Sequence, residues 1–181
     1  EEAPNYQYVA GRLINYHLRK MVYGQFEPPC LCDIVQENID AGFYDPEFTE
    51  LFTKEEINQL QSYIDHERDE VLTYAAMEQF RGKYLVQNRA TGQIYETPQV
   101  AYMMIAATLF AKYPEDTRMS YIKAYYDAIS LFKLSLPTPV MAGVRTPQRQ
   151  FSSCVLIETD DSLDSINATT SSIVKYVSQK A

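Results

Sequence analysis

The chain has 181 residues, 46% of them hydrophobic and 22% charged, and a net charge of −8 at pH 7. That is the composition of a folded globular chain with one core, not of a disordered segment. Its cations form no cluster, so no nucleic-acid or anionic-membrane surface is expected.

The elements follow in chain order. From Pro4, the residues Tyr8, Val9, Leu13, Tyr16 and Met21 recur at helical spacing up to Gly24. Phe26-Glu27-Pro28-Pro29 must break that helix, because proline clashes with the preceding turn and offers no N–H. A second helix is predicted over Cys30 to Ala41, ending at Gly42. Thr53-Lys54-Glu55-Glu56 has the form of a capping box and starts a third helix, from Lys54 to about Tyr63. Asp65 to Gln79 is predicted as one further helix. Tyr84-Leu85-Val86 and Gln93-Ile94-Tyr95 flank Thr91-Gly92, the pattern of a short hairpin. Thr97-Pro98 is an N-cap and first-turn pair opening a buried helix to Ala111, and another helix should run from Glu115 to about Phe132.

Beyond Lys133 the character changes. Leu134 to Met141 contains Pro137 and Pro139, reads as non-helical, and suits an extended segment near a sheet edge. Ser153-Cys154-Val155-Leu156-Ile157 has the form of a buried strand, and Asp161-Ser162 then caps a final helix. The architecture expected is a helical region of about 130 residues followed by the first strands of an α/β unit. The longest nearly apolar run, Val100 to Ala111, is too short to span a bilayer. The first residues lack the basic-then-apolar pattern of an export signal, and three cysteines make no paired framework. A reducing, cytoplasmic compartment is therefore expected. The chain opens without Met and stops at Gln179-Lys180-Ala181 inside a helical pattern, so it reads as cut from something larger.

Several groups of residues could carry chemistry. Asp65 to Glu70 is rich in carboxylates and includes His66, but two histidines in the whole chain leave few ligands, and a solvated charged face is the plainer reading. No metal site is expected. Cys30 and Cys32, two apart on a helix, point away from each other and read as buried free thiols. A better constellation lies near the end. Thr138 sits between two prolines in a rigid stretch, Ser152-Ser153-Cys154 begins the apolar run, and Asp161-Ser162 opens a helix whose free N–H groups could meet an oxygen-rich ligand. On a regular strand Ser153 and Cys154 would point to opposite faces, so one of them would act through its backbone or the strand would start irregularly. On the residues alone, packing and capping explain these positions as well as a site does.

Asn5-Tyr6-Gln7-Tyr8-Val9-Ala10, Tyr23 to Pro28, Leu136 to Pro147 and Arg149 to Glu158, continued by Asp161 to Asn167, resemble the large, catalytic subunit of class I ribonucleotide reductases of bacterial and phage type. The likeness covers essentially the whole chain and is most specific around Cys154. It implies a mainly α N-terminal region followed by the first strands and helix of the family's ten-stranded α/β barrel. In domain terms, residues 1–24 would trail from an ATP cone, 25–133 form the helical region, and 134–181 enter the barrel. The resemblance further implies that Thr138, Ser153 and Cys154 contact substrate, with Cys154 one of a redox pair whose partner lies outside this chain. Asp161, Ser162 and Leu163 would belong to the specificity-effector site, and His17 and Lys20 to the edge of the ATP/dATP activity site.

No cofactor is expected on the chain itself. The implied ligands are ATP and deoxynucleoside triphosphate effectors, and the implied partners are the rest of the large subunit, a second large subunit, a radical-supplying metal-containing small subunit, and a thioredoxin- or glutaredoxin-type reductant. The radical-forming cysteine and the effector-phosphate Arg of the family would lie downstream of Ala181, so this segment alone is expected to be inactive. The alternative is a non-catalytic helical interaction module that keeps the family's sequence.

Overall fold

The computed structural model describes residues 3–178. Among them the regular elements are α1 (Tyr6–Tyr23), α2 (Leu31–Asp40), α3 (Glu47–Leu51), α4 (Lys54–Tyr63), a 3-10 helix (His66–Val71), α5 (Tyr74–Gln79), a π turn (Phe80–Tyr84), α6 (Pro98–Phe110), α7 (Glu115–Ser130), α8 (Thr138–Gly143) and α9 (Leu163–Ser178).

The core forms around α6. Its apolar residues run all round the helix, and every residue from Pro98 to Ala107 is buried. A helix with no polar face is stable only when surrounded. Here α7, α8 and the 3-10 helix supply the surround, while α1 packs on α5 and the 3-10 helix and α2 packs on α4. Leu18, Val35, Leu60, Met77, Met103 and Ile122 are wholly out of solvent.

Local signals set most boundaries. α1 ends where Gly24 turns left-handed at φ 69° and donates its N–H to the Lys20 carbonyl. The capping box forms as expected: Glu56 N–H donates to Thr53 Oγ1 at 3.2 Å, and Thr53 N–H donates to Glu56 Oε2 at 2.9 Å. Glu56 also accepts from Arg118 Nε at 2.9 Å, so one carboxylate caps α4 and fastens it to α7. α6 begins at Pro98 as predicted. Thr97 does not cap it by side chain; its hydroxyl bonds Tyr23 Oη at 3.2 Å.

Four expectations are corrected. Asp65 to Gln79 is not one helix, because Thr73 Oγ1 accepts from Ala76 N–H and starts a separate α5 after the 3-10 turns. The hairpin is reduced to one antiparallel bridge, Gln87 with Ile94, closed by Gly92 at φ 75°, since Tyr84 is taken up in the π turn. Leu134 to Met141 is not extended throughout: α8 starts at Thr138, with Pro137 as its N-cap. Pro137 stands just before the first turn and Pro139 within it, where a missing N–H loses no helical bond. Finally, no strand is present among the described residues, and Ser153 to Ile157 runs as unpaired coil with Leu156 98% exposed. A strand is defined by its neighbours, and this run has none. No part of a barrel is formed among the described residues.

Candidate functional site

The site is built from the start of α8 outward. Thr138 is the first residue of α8 and is exposed. What holds α8 in place is Arg145, just past its end. Arg145 Nη1 donates to the Met141 carbonyl at 2.7 Å, and its Nη2 donates to the Tyr84 carbonyl at 2.9 Å. Its Nε lies 2.8 Å from Glu96 Oε2, and both charged side chains are fully buried. Glu96 also accepts from Val86 N–H at 2.7 Å and from Tyr44 Oη at 2.5 Å. Burial, then the neighbouring Glu96 carboxylate, holds the Tyr44 phenol well above its ordinary range. Burial works against the Arg145 charge, and the Glu96 carboxylate outweighs it, raising the guanidinium above its ordinary value.

A tight turn follows. Thr146 Oγ1 donates to the Gly143 carbonyl at 2.7 Å, and Gln148 N–H donates back to Thr146 Oγ1 at 3.2 Å. Arg149 pairs with Asp45, whose N–H donates to the Arg145 carbonyl at 3.0 Å. Burial opposes the Asp45 charge, and the bonds from Arg149 and Glu47 N–H outweigh it and hold the carboxyl below its usual range. Phe151 returns to the core, and the chain then leaves it.

Ser153 and Cys154 lie on this departing segment. Both are exposed, and Cys154 is a free thiol. With no strand here, pleat alternation does not set the two side chains on opposite faces. The opening of α9 forms a small bonded knot: Ser165 N–H donates to Ser162 Oγ at 3.2 Å, and Asp160 N–H donates to Ser165 Oγ at 2.8 Å. Ser162 is thus the expected cap. Asp161 and Leu163 beside it are exposed, Leu163 by 80%. α9 has no buried residue among those described; Ile173, Val174 and Val177 face solvent.

His17 and Lys20 lie one turn apart on the outer face of α1, both exposed. They are on a different element from Thr138, Cys154 and Asp161, and no hydrogen bond joins these groups among the described residues. Cys30 and Cys32 are half-buried rather than buried, and Cys32 Sγ lies 3.4 Å from Asn58 Oδ1. Among the described residues, no three His, Cys, Asp or Glu side chains converge on a point where a metal could bind.

Two features were not legible as a site in the sequence. One is the buried Arg145–Glu96–Tyr44 network, whose members are far apart in the chain. The other is an open cleft of about 1030 Å³ lined by Lys83, Arg89, Gln148, Arg149, Gln150 and Tyr176 among others, with three cations and no carboxylate. One of these cations, Arg149, is already paired with Asp45. No helix among the described residues is long and apolar enough to cross a membrane.

Comparison with known proteins agrees with the helical architecture. Residues 70–149 match the family described as "Ribonucleotide reductase, all-alpha domain". The chain is 61% identical over 180 residues to the "Ribonucleoside-diphosphate reductase 1 subunit alpha" of Escherichia coli (strain K12), across 99% of this chain and 24% of that protein. It is 58% identical over 181 residues to the alpha subunit of Haemophilus influenzae and 51% identical over 180 residues to that of Enterobacteria phage T4, again spanning 24% of each. The chain therefore covers less than a third of the length of the relatives it matches. Residues 70–149 thus carry the ribonucleotide reductase all-alpha domain, and nearly the whole chain is similar to part of ribonucleoside-diphosphate reductase alpha subunits.

Proposed function

We propose that this chain supplies one wall of the active site and the opening of an effector site in a class I ribonucleoside-diphosphate reductase. The carrying observation is the 61% identity to an Escherichia coli alpha subunit over 99% of the chain. In this reading Thr138, Ser153 and Cys154 face the substrate, Asp161, Ser162 and Leu163 open the specificity-effector site, and His17 and Lys20 border an ATP/dATP site. Residues 1–24 trail from an ATP cone, 25–133 form the helical region, and 134–181 lead into the barrel. Ser153 to Ile157 pairs as a barrel strand once the rest of the large subunit is present. The exposure of Val155 and Leu156 supports this, since an unpaired apolar strand seeks a neighbour.

The assembled enzyme reduces a ribonucleoside diphosphate at C2′ in the cytoplasm. A radical supplied by a metal-containing small subunit reaches a cysteine of the downstream segment, and the resulting thiyl takes the 3′ hydrogen. Cys154 and its partner thiol give up two electrons and two protons as the 2′ hydroxyl leaves as water, and become a disulfide. The 3′ hydrogen returns to C3′, and a thioredoxin- or glutaredoxin-type protein reduces the disulfide. The exposed, uncommitted Cys154 thiol is suited to that exchange. Effector control works through a large-subunit homodimer.

The test is Cys154→Ser in the assembled enzyme, measured by single-turnover deoxynucleotide yield and thiol counting. Wild type should lose two titratable thiols per product formed. The variant should bind substrate yet lose none and make almost no product. Normal multiple turnover by the variant would remove Cys154 from the reaction.

A further inference from the structure

The seam between α1 and the 3-10 helix is where buried polarity goes unanswered. α1 runs antiparallel to this segment: Gly11 sits so close to the Leu72 carbonyl that a Cβ would collide with it. Arg12 Nε donates to the Glu70 carbonyl at 3.1 Å, and Arg19 Nη2 donates to the His66 carbonyl at 2.7 Å. That register sets Asn15, midway between Gly11 and Arg19, at the level of Asp69. Asn15 is 1% exposed and Asp69 fully buried. Asn15 Nδ2 and Oδ1, Arg19 Nε, His66 Nδ1 and Asp69 Oδ2 are all buried without a hydrogen-bond partner, and all belong to these two facing elements.

The remaining atoms of the group are well served. Asp69 Oδ1 accepts from Gln99 Nε2 at 2.8 Å, Gln99 Oε1 accepts from Tyr126 Oη at 2.7 Å, and Tyr126 Oη accepts from Asp65 N–H at 2.9 Å. The orphans thus lie on two elements that are otherwise bonded to each other and to the core.

We propose that this seam is a binding site for ordered water, through which Arg19, Asn15, His66 and Asp69 are joined. A buried water makes about three hydrogen bonds, so five such atoms suit roughly two molecules. Donors and acceptors balance: Arg19 Nε–H and Asn15 Nδ2–H donate to water, Asn15 Oδ1 accepts from it, and Asp69 Oδ2 accepts as a carboxylate or donates when it carries the proton. His66 Nδ1 completes the set in either tautomer. Burial, then the nearby Arg19 charge, lowers the His66 pKa to about 4, which keeps the ring neutral and able to accept. Each alternative leaves buried polar groups without partners, which is unfavourable. The site fixes α1 from inside, on the face opposite His17 and Lys20.

The experiment is thermal melting of three variants of the full chain. Asn15→Leu fills the space with an apolar group. If Asn15 is an orphan, Leu relieves its desolvation and the melting temperature rises. If Asn15 holds water, the change strands Arg19 Nε and Asp69 Oδ2, and melting falls by roughly 2–4 °C per kcal/mol lost. Asn15→Ser and Asn15→Ala guard against a variant that fails to fold. Ser can keep a water bridge and should melt above Ala, against its poorer helix propensity. A higher melting temperature for Leu, or Ala equal to or above Ser, would overturn the proposal.

Discussion

The Arg145 guanidinium and the Glu96 carboxylate form an ion pair with no solvent exposure on either side, joining the turn after α8 to the segment leading into α6. Thr138 therefore sits at the free end of a helix whose other end is anchored in the core. Taking two charges out of water costs several kcal/mol per ion, and the attraction between them repays this only when the remaining polar atoms are also bonded. Here they are, by Tyr44, Val86 N–H and the Met141 and Tyr84 carbonyls.

Arg145→Met should thus destabilise the chain by about 3–5 kcal/mol, the usual cost of stranding a buried charge. Glu96→Leu should cost a similar amount. The double variant should lose clearly less than the sum of the two, since neither charge is then left alone. Urea unfolding of all three measures the coupling, and simple additivity would show that the pair contributes no coupling.

Glu56 offers a graded comparison. Thr53→Ala removes the cap of α4 alone and should cost about 1 kcal/mol. Glu56→Ala removes the reciprocal cap and also strands Arg118, whose side chain is 6% exposed. It should therefore cost at least twice as much in the same unfolding assay. Equal losses would mean that Arg118 finds another partner.

The stability of the α1 seam should depend on pH in two opposing ways. Burial, only partly offset by Gln99 and Arg19, raises the Asp69 carboxyl from its ordinary 3.8 to about 7. The folded state then holds a proton that the unfolded state has lost, so this contribution is full below pH 3.8 and is lost as pH rises to about 7. His66 is lowered from 6.5 to about 4, so its contribution is present above pH 6.5 and lost as pH falls to about 4. Arg19, Asp65, Tyr23, Tyr102 and Tyr126 face the two groups and set the background. Between pH 4 and 6.5 the slopes oppose each other. Asp69→Asn should leave stability rising with pH over that range, and His66→Asn should leave it falling up to about 7. Urea midpoints from pH 4 to 8 test both, and parallel curves for the two variants would contradict the assignment.

The helical part of this fold was legible because its signals are local. The Thr53 capping box, the Thr97-Pro98 start and Gly24 each act within one turn, and the mostly apolar α6 reads as a buried helix. Errors arose where the outcome depends on partners far away in sequence. Pro137 and Pro139 read as helix breakers until their place at the start of α8 is known, and Ser153 to Ile157 reads as a strand because its composition is that of one. Asp69, Glu96 and Arg145 look like surface charges in the sequence. Their burial follows from contacts such as Glu96 with Tyr44, 52 positions away, which no local pattern encodes. Cys154 stood out only through the family resemblance, since a lone exposed thiol carries no signature of its own.

The opening of α9 allows a structural role to be separated from an effector role. Ser162 Oγ accepts from Ser165 N–H, so Ser162→Ala removes a helix cap and should cost about 1 kcal/mol of stability. Asp161 is exposed, and no hydrogen bond or ion pair of its side chain is found among the described residues. Asp161→Ala should therefore leave the melting temperature of the chain unchanged. In the assembled enzyme the same change should weaken triphosphate effector binding, because a charged acceptor on a sugar hydroxyl contributes about 1.5–3 kcal/mol, or roughly 10- to 100-fold in affinity. Linkage then requires the effector's influence on substrate choice to fall with it if Asp161 contacts the coupled state. Equilibrium binding of the effector, set beside the melting curves, distinguishes the cases. A loss of stability with unchanged effector affinity would make Asp161 a capping residue, while unchanged stability with lost affinity would place it in the effector site.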